Sequence, residues 1–346
     1  MKHEDLPLAV GGQAVLEGVM MRSPHAMAIA VRRPDGTVIL KDEAYHSLAE
    51  RYPVLKRAFL RGPVILVEAM VTGVKALTFS AQAALQEEDA DKEDEPLGWG
   101  SIALTLGGAF LMAFLFFGFL PHWLSGKAGY LVGHTLTPAD FTFHAVDGLI
   151  KGTFLVLYIW GISFFPDIRR VFEYHGAEHK SICTFEAGEE LTVANTRRHP
   201  TAHARCGTSF ILVVLLVSIL IFTVFFPLFP ALTRRGLANN FLQVIIKVGL
   251  MFPIAALSYE IIRWGGKHSR HRLAQVLLWP GLATQRLTAL EPDDSQLEVA
   301  LEALKAVLAR EEYPLPEGQP AGDTLSCAEC PALMSSRAGV PPASGA

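Results

Sequence analysis

The sequence predicts an α-helical polytopic membrane protein with about four transmembrane helices and a small cytoplasmic α+β portion. Apolar residues make up 51% of the 346-residue chain and charged residues 18%, the balance of a chain that buries much of its surface in lipid. Four segments reach the ~20 largely apolar residues needed to cross a bilayer: Ser101 to Leu120, Leu149 to Phe165, Ser209 to Phe229 and Phe241 to Ile262. The third observation is a polar stretch, residues 166–208, that interrupts this apolar region and gathers His, Glu and Cys. The net charge of −4 and the lack of a long basic block argue against a nucleic-acid partner. The lipid bilayer, and with it other membrane proteins, are the expected partners.

Residues 1–62 are soluble in character and predict a β-hairpin segment. Ala26 to Val31 and Thr37 to Leu40 are strand candidates, and Arg33-Pro34-Asp35-Gly36 supplies the turn between them, proline presetting φ and glycine accepting positive φ. Residues 63–85 are apolar but carry Glu68 and Lys75. A mid-bilayer charge costs at least about 2.5 kcal/mol, so this segment reads as an amphipathic helix at the membrane surface. An acidic linker, 86–100, follows.

The four-span region covers 101–262. Basic residues crowd the segment before the first span and the 166–208 loop, whereas Pro121 to Gly148 holds only Lys127. Because Lys and Arg stay on the cytoplasmic side, the reading is a multi-pass protein of the cytoplasmic (inner) membrane with both termini and the 166–208 loop in the cytoplasm. Residues 263–312 form a cytoplasmic helical segment. Ser295-Gln296-Leu297-Glu298 has capping-box spacing, and Leu297, Leu301, Leu304 and Leu308 share one helix face. The Pro-, Gly- and Ser-rich remainder, 313–346, reads as a disordered tail, and its Cys327-Ala328-Glu329-Cys330 is at most half a zinc site.

The chemistry concentrates in Glu173-Tyr174-His175-Gly176-Ala177-Glu178-His179-Lys180 and in His203-Ala204-Arg205-Cys206-Gly207. On a helix, His175 and His179 stack on one face, with Glu178 beside them. This H-x-x-E-H order is that of the inverted zincins, in which two histidines hold zinc and the glutamate activates water. A divalent metal, zinc foremost, is therefore the expected cofactor. Candidates to complete the ligand set are His203, Cys206 and Glu260. A thiol just before a helix is easily deprotonated, and an ionisable group in a membrane helix is a functional hypothesis. Glu178 is the candidate catalytic base, and Glu173 and Arg205 are supporting residues.

Several motifs resemble one family. Gly11 to Arg22, Tyr174 to Lys180, Arg205 to Ser209, Pro280 to Thr288 and Glu291 to Gln296 look like the YqhQ-type bacterial membrane proteins, a family of unknown function described as metal-dependent enzymes. The resemblance spans about residues 9 to 310. It favours His203 over His199 as the histidine before the Arg-Cys-Gly motif, and it adds Gln13 and Glu17 as supporting residues on the side of the cluster. The functional expectation is a metal-dependent, hydrolase-like site, a peptidase being the direct extension. The alternative is a non-enzymatic membrane-complex protein with a structural metal or hydrogen-bonded site, docking through the Leu297–Leu308 helix.

Overall fold

The computed structural model describes residues 8–85, 104, 107–109, 111–131, 140–229, 237–268 and 271–312. The acidic linker, the tail with its Cys-x-x-Cys, and parts of the first expected span lie outside the described residues.

The N-terminal segment is a four-stranded antiparallel meander of β1 (Gly11–Val15), β2 (Gly18–Arg22), β3 (Ala26–Arg32) and β4 (Val38–Ala44), ordered β1-β2-β3-β4. The expected hairpin is β3–β4, and a second hairpin precedes it. Its two-residue turn, Leu16-Glu17, lacks the Asn-Gly or Asp-Gly signature of such turns. Glu17 instead adopts φ 51°, a left-handed conformation uncommon outside glycine, and its carboxylate is held by the Arg170 guanidinium (Nε to Oε1, 2.5 Å).

Side chains alternate across β3, as the strand period requires. Met27, Ile29 and Val31 meet Ala76, Phe79 and Ala83 of α1 (Arg61–Leu85). Ala26, Ala28 and Ala30 face α4 (Pro166–Glu186) and α8 (Asp294–Arg310). The result is a helix–sheet–helix sandwich. Between α1 and α8 in the sequence come α2 (Leu120–Leu131), α3 (Phe141–Ile162), α4, α5 (Gly207–Leu228), α6 (Leu237–Lys267) and α7 (Arg272–Thr288). Helices α2, α3, α5 and α6 pack side by side, and α7 ties them to α4.

Among the described residues, five helices are long and apolar enough to cross a membrane: Arg61–Ala84, Gly107–Gly129, Phe141–Ile162, Gly207–Leu228 and Ile245–Gly265. The sequence count of four omitted the first of these because of Glu68 and Lys75. Glu68 is buried, but Tyr45 Oη, Ser47 Oγ and the Leu48 amide all donate to it, so its charge is met by the chain itself. The other boundaries shift by several residues: the first helix runs past Leu120, and α3 begins at Phe141 rather than Leu149. The 166–208 "loop" is half helix, because α4 occupies its first 21 residues.

Helix α8 matches the leucine pattern, with Leu297, Leu301, Leu304 and Leu308 buried. Its capping box lies two residues earlier than expected: Asp293 caps, and Gln296 reaches back to the Asp293 amide. Since sheet and α4 already cover this apolar face, it is not available as a docking surface.

Two glycines set the spacing around α4. A Cβ on Gly12 would lie 2.6 Å from the Met20 carbonyl oxygen and 3.0 Å from Glu178 Cγ, and one on Gly176 would lie 1.9 Å from the Leu290 carbonyl oxygen. Gly176→Ala is expected to destabilise the protein by at least about 1–3 kcal/mol, the usual cost of overpacking, read as a lowered thermal midpoint in detergent.

Candidate metal centre

Pro166 opens α4 at a position where its missing N–H costs nothing, and the helix continues through His175, Glu178 and His179. The 175/179 spacing stacks the two imidazoles, with ring centroids 4.4 Å apart. Each ring is pinned from behind by a backbone carbonyl. His175 Nδ1 lies 2.6 Å from the Thr288 oxygen at the end of α7. His179 Nδ1 lies 2.5 Å from the Thr201 oxygen. A carbonyl oxygen only accepts, so Nδ1 carries the hydrogen in both rings and Nε2 faces the other way. Backbone carbonyls hold metal-binding histidines in this manner.

Cys206 caps α5 and brings its sulfur to the same place, 3.2 Å from His175 Nε2. The ligand atoms of His175, His179 and Cys206 all lie within 4.8 Å of one another. Two nitrogens and a sulfur around zinc, at about 2.0–2.1 and 2.3 Å, stand about 3.3–3.6 Å apart in a tetrahedron, so the His175–Cys206 pair is already near that spacing and any wider pair closes from at most 4.8 Å. The His179 ring interacts electrostatically with the Cys206 sulfur, yet among the described residues its buried Nε2 has no hydrogen-bond partner, a costly state for an imidazole nitrogen unless something binds it. The donor set, its tethers and this orphan atom fit a metal ion.

The electrostatics agree. Burial raises the Cys206 thiol, but the adjacent His175 and His179 rings outweigh it and hold the thiol well below its ordinary range. Burial pushes His175 down, yet the sulfur at Nε2 prevails and lifts it to about 9. The sulfur and the His175 ring thus favour each other's charged forms. Burial raises Glu178, with His179 and His175 opposing. Its carboxylate makes no hydrogen bond or ion pair with a described residue, which leaves it unanchored beside the ligand atoms.

The other expected site residues are placed elsewhere. His203 packs beside His179, centroids 5.5 Å apart, but its Nδ1 accepts from the Arg205 amide at 3.3 Å and its Nε2 lies 3.5 Å from Glu186. It is not among the converging ligand atoms, and burial lowers its pKa. Arg205 pairs with Glu186. Glu260 as a ligand is a correction: both its oxygens are taken by Arg61, Oε1 by Nε at 2.8 Å and Oε2 by Nη2. The reason is α1, whose Gly62 lets the helix approach Tyr259 of α6 closely enough to place Arg61 there. Gln13 packs on Gly73 of α1. Glu17 holds Arg170, and Glu173 accepts from Arg169 and Gln296. Glu17 and Glu173 thus fix α4 against the sheet and α8, and Gln13 joins the sheet to α1.

One residue carries weight that residue types alone did not reveal. Gln285, 1% exposed, accepts from the His203 amide at 2.8 Å and donates to the His203 carbonyl at 2.8 Å and to Ser209 Oγ at 3.0 Å. It bonds α7 to both sides of the Cys206 turn. Its only signal was membership of the Pro280–Thr288 motif. Gln285→Leu is expected to cost about 1–3 kcal/mol for each His203 backbone group left unsatisfied and to weaken metal retention, read by thermal unfolding and metal content together.

No solved structure matches the chain. It is 33% identical over 324 residues to "Uncharacterized protein YqhQ" of Bacillus subtilis (strain 168), covering 90% of this chain and 96% of that protein. Residues 58–310 match the family model described as "Protein of unknown function (DUF1385)". That segment holds the whole His–His–Cys cluster and the helices around it, and the chain belongs to the DUF1385 family.

Proposed function

We propose that the chain is an integral membrane enzyme with a metal-dependent, hydrolase-like site at the cytoplasmic face, where His175, His179 and Cys206 hold a divalent cation, zinc first. The observation that carries this reading is the convergence of two carbonyl-tethered imidazoles and a cysteine sulfur within 4.8 Å of one another, with His179 Nε2 buried and, among the described residues, without a hydrogen-bond partner. Three protein ligands leave a fourth position open, the arrangement of catalytic rather than structural zinc. When bound, the metal supplies Lewis-acid polarisation and lowers the pKa of water. The chain's own part is to orient the rings through Thr288 and Thr201, to keep the sulfur ionised, and to hold or accept a proton on the Glu178 carboxylate. Glu178 suits that task because burial raises its pKa, the direction in which a carboxylate becomes a stronger base.

Membrane insertion draws support from rows of exposed large apolar side chains, such as Leu220, Val224 and Leu228 on α5, which a water-soluble surface seldom carries. The topology draws support from parity. The sheet, α4 and α8 share one core, so the chain crosses the membrane an even number of times between any two of them. Three of the five long apolar helices lie between the sheet and α4, so one of these three does not cross. Helix α1 is that one: one face packs on the sheet, while Val67, Met70, Val71 and Val74 form an exposed apolar face suited to the membrane surface. This reading leaves four crossings, and the basic residues favour a cytoplasmic sandwich, with both termini on that side, in a multi-pass inner-membrane protein.

A second reading rests on the 3.2 Å contact between His175 Nε2 and Cys206 Sγ, the geometry of a cysteine nucleophile with its histidine base. It gives no role to the orphaned His179 nitrogen. Metal analysis of protein purified without chelator separates the two. Stoichiometric zinc, iron or manganese that disappears in His179→Ala supports the metal site. Metal-free protein whose Cys206 is alkylated rapidly, with His179→Ala unchanged, supports the nucleophile instead.

A further inference from the structure

A second polar cluster lies within the helix bundle, away from the His–His–Cys centre. At 1.5 Å per residue, Thr223 sits about 25 Å along α5 from Cys206, toward the opposite membrane face in the topology above. One turn before Thr223, Ile219 packs on Gly148 of α3, and the neighbouring Asp147 is 3% exposed. Its Oδ2 accepts from Lys151 Nζ at 2.5 Å. Lys247 of α6 lies over the rings of Phe222 and Phe226, 5.7 and 5.6 Å from their centroids, and interacts electrostatically with Lys151 and Asp147. His122 of α2 senses Lys247, Asp147, Lys151 and His144, and His144 stacks on Phe226.

Among the described residues this arrangement is incomplete in a specific way. Lys151 pairs with the one carboxylate, so Lys247 brings a positive charge in excess where the bilayer makes it expensive. Three buried polar atoms on three helices have no hydrogen-bond partner: His122 Nδ1, Asp147 Oδ1 and Thr223 Oγ1. The first and third can donate, and Asp147 Oδ1 can only accept while ionised. What is missing is therefore an anion for Lys247, His122 and Thr223, with a donor beside it for Asp147. Trp123, next to His122, carries Lys127 over its ring at 5.8 Å and marks the headgroup depth at which tryptophans settle.

We propose that this cluster binds a phosphate group with a hydrogen-bond donor beside it, the phosphate on Lys247, Thr223 and His122 and the donor on Asp147 Oδ1. A phosphatidylethanolamine headgroup meets that description through its ammonium, and a hydrogenphosphate ion meets it through its P–OH. Phosphatidylcholine, whose nitrogen bears no hydrogen, does not. The proposal rests on the membrane reading, not on the metal. Alkaline carbonate extraction tests that reading separately, since release of the chain from membranes would defeat it before any lipid is counted.

The test uses the full chain reconstituted in vesicles of equal phosphatidylethanolamine and phosphatidylcholine, with bound lipid counted by native mass spectrometry. Wild type is expected to retain phosphatidylethanolamine several-fold over phosphatidylcholine. Lys247→Met is expected to lose the lipid, Lys247→Arg to keep it, and Asp147→Asn to lose the preference between the two lipids. A parallel arm adds millimolar inorganic phosphate to delipidated protein. A raised thermal midpoint in wild type but not in Lys247→Met, without lipid enrichment, assigns the site to the free ion. Should Lys247→Met fail to fold, Thr223→Val carries the same comparison. Wild type with neither lipid enrichment nor a phosphate-induced shift overturns the proposal, as does binding that no variant changes.

Discussion

Cys206→Ser is expected to strip the protein of its metal, and His179→Ala to do the same, whereas His203→Ala retains it. The difference follows from where the ring nitrogens point. The Nε2 atoms of His175 and His179 and the Cys206 sulfur converge. The two nitrogens of His203 are directed at the Arg205 amide and Glu186. Loss of a ligand should exceed the about 10–100-fold loss of affinity typical of removing a partner one bond further out, so metal content after dialysis distinguishes the roles cleanly. Serine at position 206 keeps the size and capping capacity of the residue while removing the readily ionised sulfur. Metal loss there, with the helical signal unchanged, is a ligand effect. Full metal occupancy in Cys206→Ser would remove the thiolate from the centre.

Glu178→Gln is expected to keep the metal and lose the chemistry. Glutamine matches glutamate in shape, so α4 and its contact with Gly12 of β1 persist, but it cannot take up a proton. General acid–base groups contribute about 10²–10⁴-fold to rate, and turnover on any ester or peptide that wild type hydrolyses should fall within that range. A visible-spectrum pH titration of the cobalt-substituted protein gives a readout independent of substrate: the midpoint should move in Glu178→Gln. Unchanged turnover and an unchanged midpoint would reduce Glu178 to a structural residue.

How much of this was legible in the sequence depends on the range of the interaction. The H-x-x-E-H face was legible because helical spacing is local, and α8 was legible because its leucines repeat at three and four residues. His203 and Cys206 came forward together, yet only the backbone turn between them decides which side chain aims a ligand atom at the two imidazoles. Glu260 was misread because its partner, Arg61, is 199 residues away, and no local pattern announces such a pair. The same limit hid Thr201 and Thr288, whose carbonyls fix the histidine tautomers: a backbone oxygen carries no residue type. The β1–β2 hairpin was hidden because Glu17 occupies a conformation that sequence rules assign to glycine or asparagine. The spanning count was ambiguous at α1, an apolar helix whose burial is divided between a sheet and an open face.

The central claim is that two histidines and one cysteine hold a metal. X-ray absorption at the metal edge of the purified, unsubstituted protein tests it most directly. The predicted result is one metal per chain with a sulfur neighbour at about 2.3 Å and nitrogen neighbours at about 2.0–2.1 Å, the sulfur shell vanishing in Cys206→Ser. Protein without stoichiometric metal, or a metal surrounded by oxygen and nitrogen alone, would contradict it.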